Sequence, residues 1–459
     1  MMAARGSPLA QAIPAMKTLF TPSRILTAGL LASVLATLAG AARSSDQTAL
    51  AREILADRSL RDVHEMARHL LQDDLTAGSG YGEVWIRDLN TFIEMALEVN
   101  DPRRLRESLL TFFTFQGANG DIADGYVPKD RAKPYYDYRS SPLAPTVVAH
   151  KNTVETDQES SLVQAVRKYI SVTGDRAFLD ETIAGQPVRQ RLAEALEYVL
   201  RERVDPAHGL VWGATTADWG DVQPEPSSGV ELDASSHRAI GIYGNAMFVI
   251  AIDDYIQLVG EDAPEAARWE SIRDDLKRNV RKHLWDAERQ QFVPHLYLAG
   301  SPFPAAFDER TIYYHGGTAV AIEAGLLTRE ETAGALAHMR ADVRQAGAGS
   351  IGLTIYPPYP AGSFKKPGMV PYAYQNGGDW CWFGGRMIQQ LIRQGFVADA
   401  YRELKPMVTR AERAGDFYEW WSVDSQPRGS GQYRGSAGVL GRAIEMLQTW
   451  ANENKSSGG

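Results

Sequence analysis

The stretch 244–284, "GNAMFVIAIDDYIQLVGEDAPEAARWESIRDDLKRNVRKHL", decides the fold. Its first part, Gly244 to Gly260, is apolar on nearly every face at helical spacing. Its second part, Ala263 to Leu284, is an ordinary amphipathic helix with a charged face. A helix apolar on most faces is buried on most faces, whereas a helix with one apolar stripe lies against a surface. The pair therefore reads as a helical hairpin with one inner and one outer member.

The alternation extends in both directions. "GGTAVAIEAGLL" (316–327) is again apolar nearly all round. Helical periodicity predicts helices at about 48–73, 88–99, 102–116, 156–175, 185–204, 238–259, 263–284, 317–325, 329–344, 380–395, 397–413 and 433–451. Strand-type alternation is scarce, and "GLVWGA" and "QQFVPHLYL" predict small hairpins at most. About a dozen helices in alternating layers make an all-α toroid of six hairpins, an (α/α)6 barrel. A solenoid is the competing arrangement, but it calls for a fixed sequence period, and none is present. The connections are unequal. Those at 117–155, 205–237, 286–316, 345–379 and 414–432 are long and rich in Gly, Pro, Trp and Tyr. Loops of that length in a compact domain usually carry function, and in a toroid they gather at one rim.

Composition narrows the function classes. The chain has 459 residues, 44% hydrophobic and 23% charged, enough for one large core. Its net charge of −9 disfavours nucleic acid or an anionic membrane surface as partner and suits a neutral substrate. Residues 1–45 stand apart, with Arg5, Lys17, Arg24 and Arg43, no acid, and the apolar run "ILTAGLLASVLATLAGAA" at 25–42. A basic start, an apolar run and the small-residue site Ala39-Gly40-Ala41 predict a signal peptide and export to a periplasm or the exterior. An uncleaved anchor or a transit peptide are the competing readings. The expected catalytic domain spans 46–453, with a tail at 454–459. The sole cysteine, Cys381, leaves no internal disulfide.

Five clusters lie in or beside the long loops. "GEVWIRDLNTFIEMAL" (82–97) sets Trp85, Arg87 and Asp88 at a helix start, where Asp88 is either an N-cap or half of a sugar-binding Arg–Asp pair. "QGANGDIADGYVPKD" (116–130) carries Asp121 and Asp124 but lacks a full calcium-loop pattern. "KNTVETDQESS" (151–161) puts Asp157 and Glu159 at the start of an apolar helix, where the dipole favours acids. "VWGATTADWGDVQPE" (211–225) flanks Trp219 with Asp218 and Asp221, and an indole strips water from a neighbouring carboxyl and raises its pKa. "PYAYQNGGDWCWFGGRMIQ" (371–389) gathers Tyr374, Gln375, Asn376, Asp379, Trp380 and Trp382. A sixth carboxylate, Glu419, stands among aromatics in "FYEWW" (417–421), beside Trp420. No HExxH and no Cys/His cluster indicates zinc, and no metal or organic cofactor is expected. Loop aromatics interleaved with amides and acids favour carbohydrate. Glycoside hydrolysis needs two carboxyls across the scissile bond, and Asp218 and Glu419 lie in well-separated loops, with Asp221 as the alternative acid.

Together these clusters resemble the six-hairpin glycosidases, over most of residues 48–451 and in that family's order. "VWIRDLNTFI" looks like the Arg-Asp motif of the amylo-α-1,6-glucosidase, glucoamylase and neutral invertase branches, which implies that Arg87 and Asp88 hold a terminal sugar. "ADWGD" is similar to an Asp-Trp-x-Asp loop whose first Asp is the general acid, which implies Asp218. "YQNGGDW" resembles a Tyr-His-Asn-Gly-Gly-x-Trp motif, with Gln375 in place of His. "FYEWW" with "GSGQYRGSAG" is similar to the segment bearing the general base in the trehalase, processing α-glucosidase and invertase branches, which implies Glu419. The implied activity is inverting, exo-acting hydrolysis of α-glucosides or related hexosides. Trp85, Arg87, Asp88, Asp157, Trp219, Tyr374, Gln375, Asn376, Trp380 and Trp420 would bind the sugar. An inverting phosphorylase, a lyase or uronyl hydrolase on the same toroid and a catalytically silent glycan-binding protein are the rival expectations.

Overall fold

The computed structural model describes residues 46–134, 136–226 and 230–456. The expected signal peptide at 1–45 lies outside the described residues. Among the described residues, a short helical run at 46–56 is followed by twelve longer helices. They are α1 (Arg58–Asp73), α2 (Ile86–Val99), α3 (Pro102–Thr114), α4 (Gln158–Thr173), α5 (Val188–Glu202) and α6 (Ile242–Val259). The second half holds α7 (Ala266–His283), α8 (His315–Glu323), α9 (Arg329–Ala346), α10 (Cys381–Arg393), α11 (Val397–Ala414) and α12 (Arg434–Asn454).

The even-numbered helices form a closed ring. Each packs on the next in the order α2, α4, α6, α8, α10, α12, and α12 returns to α2. The odd-numbered helices lie outside this ring, so the fold is an (α/α)6 barrel. Sequence decides the layer. In α6, residues on all sides are buried, Met247, Phe248, Ile252 and Tyr255 among them. In its partner α7 only Ala266, Trp269, Leu276 and Val280 are. Burying each large apolar side chain is worth ~1.5–3 kcal/mol, so the all-round apolar helices are driven inward. The outer helices carry the local stop and start signals. The side chain of Asp101 caps α3 ahead of Pro102, and Thr328 and Glu331 form a capping box on α9.

The six inner helices start at the same end of the barrel, each entered from one of the connections preceding Ile86, Gln158, Ile242, His315, Cys381 and Arg434. Small antiparallel sheets stiffen these connections. Val84–Trp85, Gly125–Pro128 and Val147–His150 make one of three strands. "GLVWGA" contributes to two sheets, and "QQFVPHLYL" is likewise shared between two. Among the described residues no helix is long and apolar enough to cross a membrane.

Candidate active site

A cavity of about 250 Å³ opens where the inner helices begin. Its wall includes Trp85, Arg87, Asp88, Trp219, Asp221, Tyr374, Gln375, Trp380 and Glu419, contributed by segments more than 300 residues apart in sequence. The barrel brings them together because each lies just before or within the first turn of an inner helix, or in a loop folded over that rim.

Glu419 is buried, and it accepts hydrogen bonds from the Tyr81 hydroxyl (2.8 Å) and the Ser430 backbone N–H (2.9 Å). Burial pushes its carboxyl up to about 7 against the pull of these two donors, and the charges of Asp88 and Asp221 raise it further. The loop behind it must be glycine at Gly429, which has φ +70°, and any Cβ there would run into the Glu419 carboxylate. Asp221 is half-buried on the same cavity and accepts from Gln375 Nε2 at 2.6 Å. Burial pushes the pKa of Tyr374 well up, and the nearby charges of Asp221 and Glu419 raise it further.

The structure places Asp218 elsewhere. Its carboxylate turns to the start of α8, where both oxygens accept from the Gly317 N–H at 3.0 and 2.8 Å. It lines a separate cavity of about 60 Å³ with Glu155, Tyr243, His295 and Tyr314, and not the cavity that holds Glu419. Burial raises its pKa to about 8, and the amides at Gly316 and Gly317 oppose the shift. Its φ of +55° is strained for a residue with a side chain. That turn sends Asp218 down and leaves Asp221, three residues on, at the cavity.

Arg87 donates to Asp157 Oδ2 at 2.7 Å and Oδ1 at 3.3 Å, and it pairs with Glu155. Asp157 is fully buried, accepts also from the Tyr243 hydroxyl (2.8 Å), and holds the arginine in place from behind the cavity wall. Asp88 is not the N-cap of α2, which is Trp85; burial lifts its carboxyl to about 6, although the Tyr433 hydroxyl and Arg87 pull it down. Asn376 is likewise behind the wall, bound to the Tyr359 backbone N–H (2.8 Å) and the carbonyls of Tyr359 and Met369. Trp420 stands against Tyr374, 6.4 Å between ring centroids, and is not part of the cavity lining. Of the residues expected from sequence to touch sugar, Asp157, Asn376 and Trp420 thus sit one layer back.

Trp219 packs edge-on to Trp380 (4.7 Å) and Trp382 (5.1 Å), and the three indoles make an apolar patch of the wall. Several buried polar atoms of the cavity residues have no protein partner: Trp85 Nε1, Asp88 Oδ1, Gln375 Oε1 and Trp382 Nε1. Buried donors and acceptors are nearly always paired in folded proteins, by protein or by ordered water, so this set is left to be satisfied by water or by a polar ligand. Among the described residues no group of three or more His, Cys, Asp or Glu is placed to hold a metal ion.

The sequence motifs did not single out Tyr81, Lys133, Tyr136, His150, Asn152, Lys366 or Tyr433 as site residues, yet all line the cavity. Tyr433 lay within the glycine-rich segment after Glu419, and Tyr81 within "GSGYGE", a glycine run too weak to read alone. Lys133, Tyr136 and His150 come from the long loop at 117–155, where only its length was a signal.

No family model and no curated protein sequence matches the chain. Solved structures do. A GH63 mannosylglycerate hydrolase from Thermus thermophilus in complex with glucose superposes with TM-score 0.60 at 17% identity, covering 84% of this chain and 99% of that one. The same hydrolase in complex with Tris and D-glycerate gives TM-score 0.60 at 18% identity, over 83% and 99%. A rhamnosidase from Klebsiella oxytoca with rhamnose bound gives 0.56 at 15%, over 85% of this chain and 64% of that one. These likenesses establish the fold.

Proposed function

We propose that this protein is an inverting, exo-acting glycoside hydrolase for small hexosides, with Asp221 as general acid and Glu419 as general base. The observation that carries the reading is the pair of carboxyls, Asp221 and Glu419, on one cavity whose remaining wall is indoles and unpartnered polar groups. Glu419, as the carboxylate, would take a proton from water held near the Tyr81 hydroxyl. Asp221, carrying a proton on Oδ2 while Glu419 is ionised and Gln375 Nε2 holds its Oδ1, would give that proton to the departing oxygen and be left as the carboxylate. Arg87 and Asp88 would grip hydroxyls of the terminal sugar, and the Trp219–Trp380–Trp382 patch would face its C–H surface.

The acid is assigned to Asp221 in place of Asp218 because a general acid must reach the leaving oxygen, and the Asp218 carboxylate is engaged at the α8 amides. The cavity volume of about 250 Å³ is below the ~300–1,000 Å³ of pockets for drug-sized ligands, which suits enclosure of one terminal sugar ring. That solved neighbours of this fold include a mannosylglycerate hydrolase in complex with glucose and a rhamnosidase with rhamnose bound supports glucosides, mannosides and rhamnosides as the first substrates to try. The export expected from the leader would place this activity outside the cytoplasm.

The test is a panel of small α- and β-linked hexosides followed by proton NMR. The expected outcome is release of the terminal sugar with the anomer opposite to that of the bond cleaved. Release with the same anomer would refute inversion, turnover only with added phosphate would indicate a phosphorylase, and binding without turnover across the panel would indicate a silent glycan-binding protein.

A further inference from the structure

The three-stranded sheet at the barrel rim sets three residues in one row: Trp85 pairs with Gly125, and Gly125 pairs with His150. Directly opposed residues on neighbouring strands share a face of the sheet. The middle position has no side chain, and the Trp85 indole leans across it, occupying the space a Cβ at Gly125 would need. The indole thus fills the space over Gly125 between the two outer positions, and Trp85 and His150 both line the cavity that holds Asp221 and Glu419.

His150 is 2% exposed, and neither Nδ1 nor Nε2 has a hydrogen-bond partner in the protein. Its ring is stacked flat on Tyr136, centroids 4.4 Å apart and planes within 3°, and Tyr138 meets it edge-on at 5.8 Å. The backbone is held too, since its carbonyl accepts from the Asp124 N–H at 2.8 Å. The ring is thus held by aromatics while its two polar atoms have no protein partner, as is also true of Trp85 Nε1 on the same cavity. An ordinary core histidine would have its nitrogens bonded, because a buried unpaired polar group costs stability. Burial pulls the imidazole down to about 4, Lys133 pulling in the same direction and Glu83 opposing. At neutral pH it is uncharged, with one donor and one acceptor. Glu83 and Lys133 are themselves paired at 2.9 Å.

We propose that His150 is a specificity-determining residue that hydrogen-bonds a hydroxyl of a neutral sugar held in this cavity. This rests on the cavity being a sugar site, as proposed above, but not on its being catalytic. His150 would act in binding, as a neutral group matched to a hydroxyl, which both donates and accepts.

The test is binding, measured by calorimetry without turnover. D-glucose, D-mannose and L-rhamnose are titrated into the wild-type protein, and the tightest of them is followed by its monodeoxy derivatives. One of these derivatives is expected to bind the wild type roughly 5- to 100-fold more weakly than the parent. In His150→Phe the parent itself should weaken by a similar factor, and that derivative should bind no worse than the parent. Equal losses in both proteins for every derivative, or an unchanged affinity of His150→Phe for the parent, would overturn the proposal. Should His150→Phe not fold, the ¹⁵N resonances of the wild-type His150 ring decide: they should move on sugar addition, and static resonances at saturation would overturn it. Sugar binding with no hydrolysis of any hexoside would refute the catalytic reading and leave His150 standing. Failure of the wild type to bind any of the three sugars would overturn both.

Discussion

Asp218 and Asp221 differ by three positions, and their environments assign them different work. The carboxylate of Asp218 meets the start of α8, whereas that of Asp221 meets Gln375 at the cavity. Removing a positioned general acid or base typically costs 10²–10⁴-fold in rate. Asp221→Asn and Glu419→Gln should therefore each lower kcat by roughly 10²–10⁴-fold with unchanged circular dichroism. Asp218→Asn should lower it by about tenfold or less, since it keeps an acceptor for the Gly317 N–H. A larger loss in Asp218→Asn than in Asp221→Asn would restore Asp218 as the acid. Glu419 must be ionised to act as base, and its pKa is raised to about 7. The rate at low substrate should accordingly fall as pH drops through about 7, and a limb that stays flat to pH 5 would exclude Glu419 as that base.

At the scale of elements, the loop holding Asp218, Trp219 and Asp221 is clamped from two sides. Below it, the Asp218 carboxylate is seated on the first turn of α8. Behind it, a buried polar chain ties Glu309 to His295 (2.8 Å) and to the Tyr359 hydroxyl (2.5 Å), which meets Tyr314. Tyr314 reaches the Thr216 carbonyl at 3.3 Å, two residues before Asp218. The seat requires glycine at 317, where a Cβ would lie 2.5 Å from both Asp218 Oδ1 and Ile242 Cγ2. Gly317→Ala gains about 1 kcal/mol of helix propensity but incurs ~1–3 kcal/mol of overpacking, and it also disturbs the buried carboxylate. We expect a net loss of stability in chemical denaturation, with a fall in kcat as the loop shifts. A variant as stable and active as the wild type would mean the seat is dispensable. On the far side, Arg410 of α11 grips Asp379 through two bonds of 2.6 Å, and Asp379 pairs with the strand residue Trp421. This ion pair ties the Tyr374–Gln375 loop and the Glu419 segment to one outer helix.

For the whole molecule, the closed ring points six inner-helix N-termini at one end. Helix N-termini favour negative charge, and the rim is rich in carboxyls. Burial nevertheless wins at several of them. Asp218 is raised to about 8, Asp124 and Glu419 to about 7, and Asp88 to about 6. Such groups hold protons in the native state that the unfolded chain has already released. Their contribution to stability is therefore lost as pH rises from the unfolded value, near 4, through the folded one. Buried histidines with lowered pKa, such as His150, act in the opposite direction, but only below about 6.5. Between pH 6.5 and 8 the melting temperature should fall, with Asp218 alone accounting for ~2 kcal/mol. Asp218→Asn should flatten that slope. A melting temperature constant or rising across this window would show that these carboxyls are ionised in the native protein.

Local sequence was enough to define the helices and their layers. All-round apolarity in 244–260 and 316–327 against one-striped neighbours is a property of consecutive residues, and burial follows from it directly. The rim loops were legible from their length, and Trp85, Arg87, Asp88, Tyr374, Gln375 and Glu419 from side-chain chemistry concentrated in short segments. What only the tertiary structure decided is which way each side chain faces. Asp218 and Asp221 flank the same Trp219 and look interchangeable in sequence; a backbone turn at φ +55° and the amides of a helix nearly 100 residues later separate them. Asp157 and Asn376 carry the right chemistry for a ligand, but Arg87 from another segment, and Tyr359 from across the same long loop, draw them behind the wall. His150 has no motif around it, and its place beside Trp85 comes from strand pairing through Gly125. Periodicity is local and survives in the sequence, whereas orientation at the rim is set by non-local hydrogen bonds and close contacts that exist only once the ring has closed.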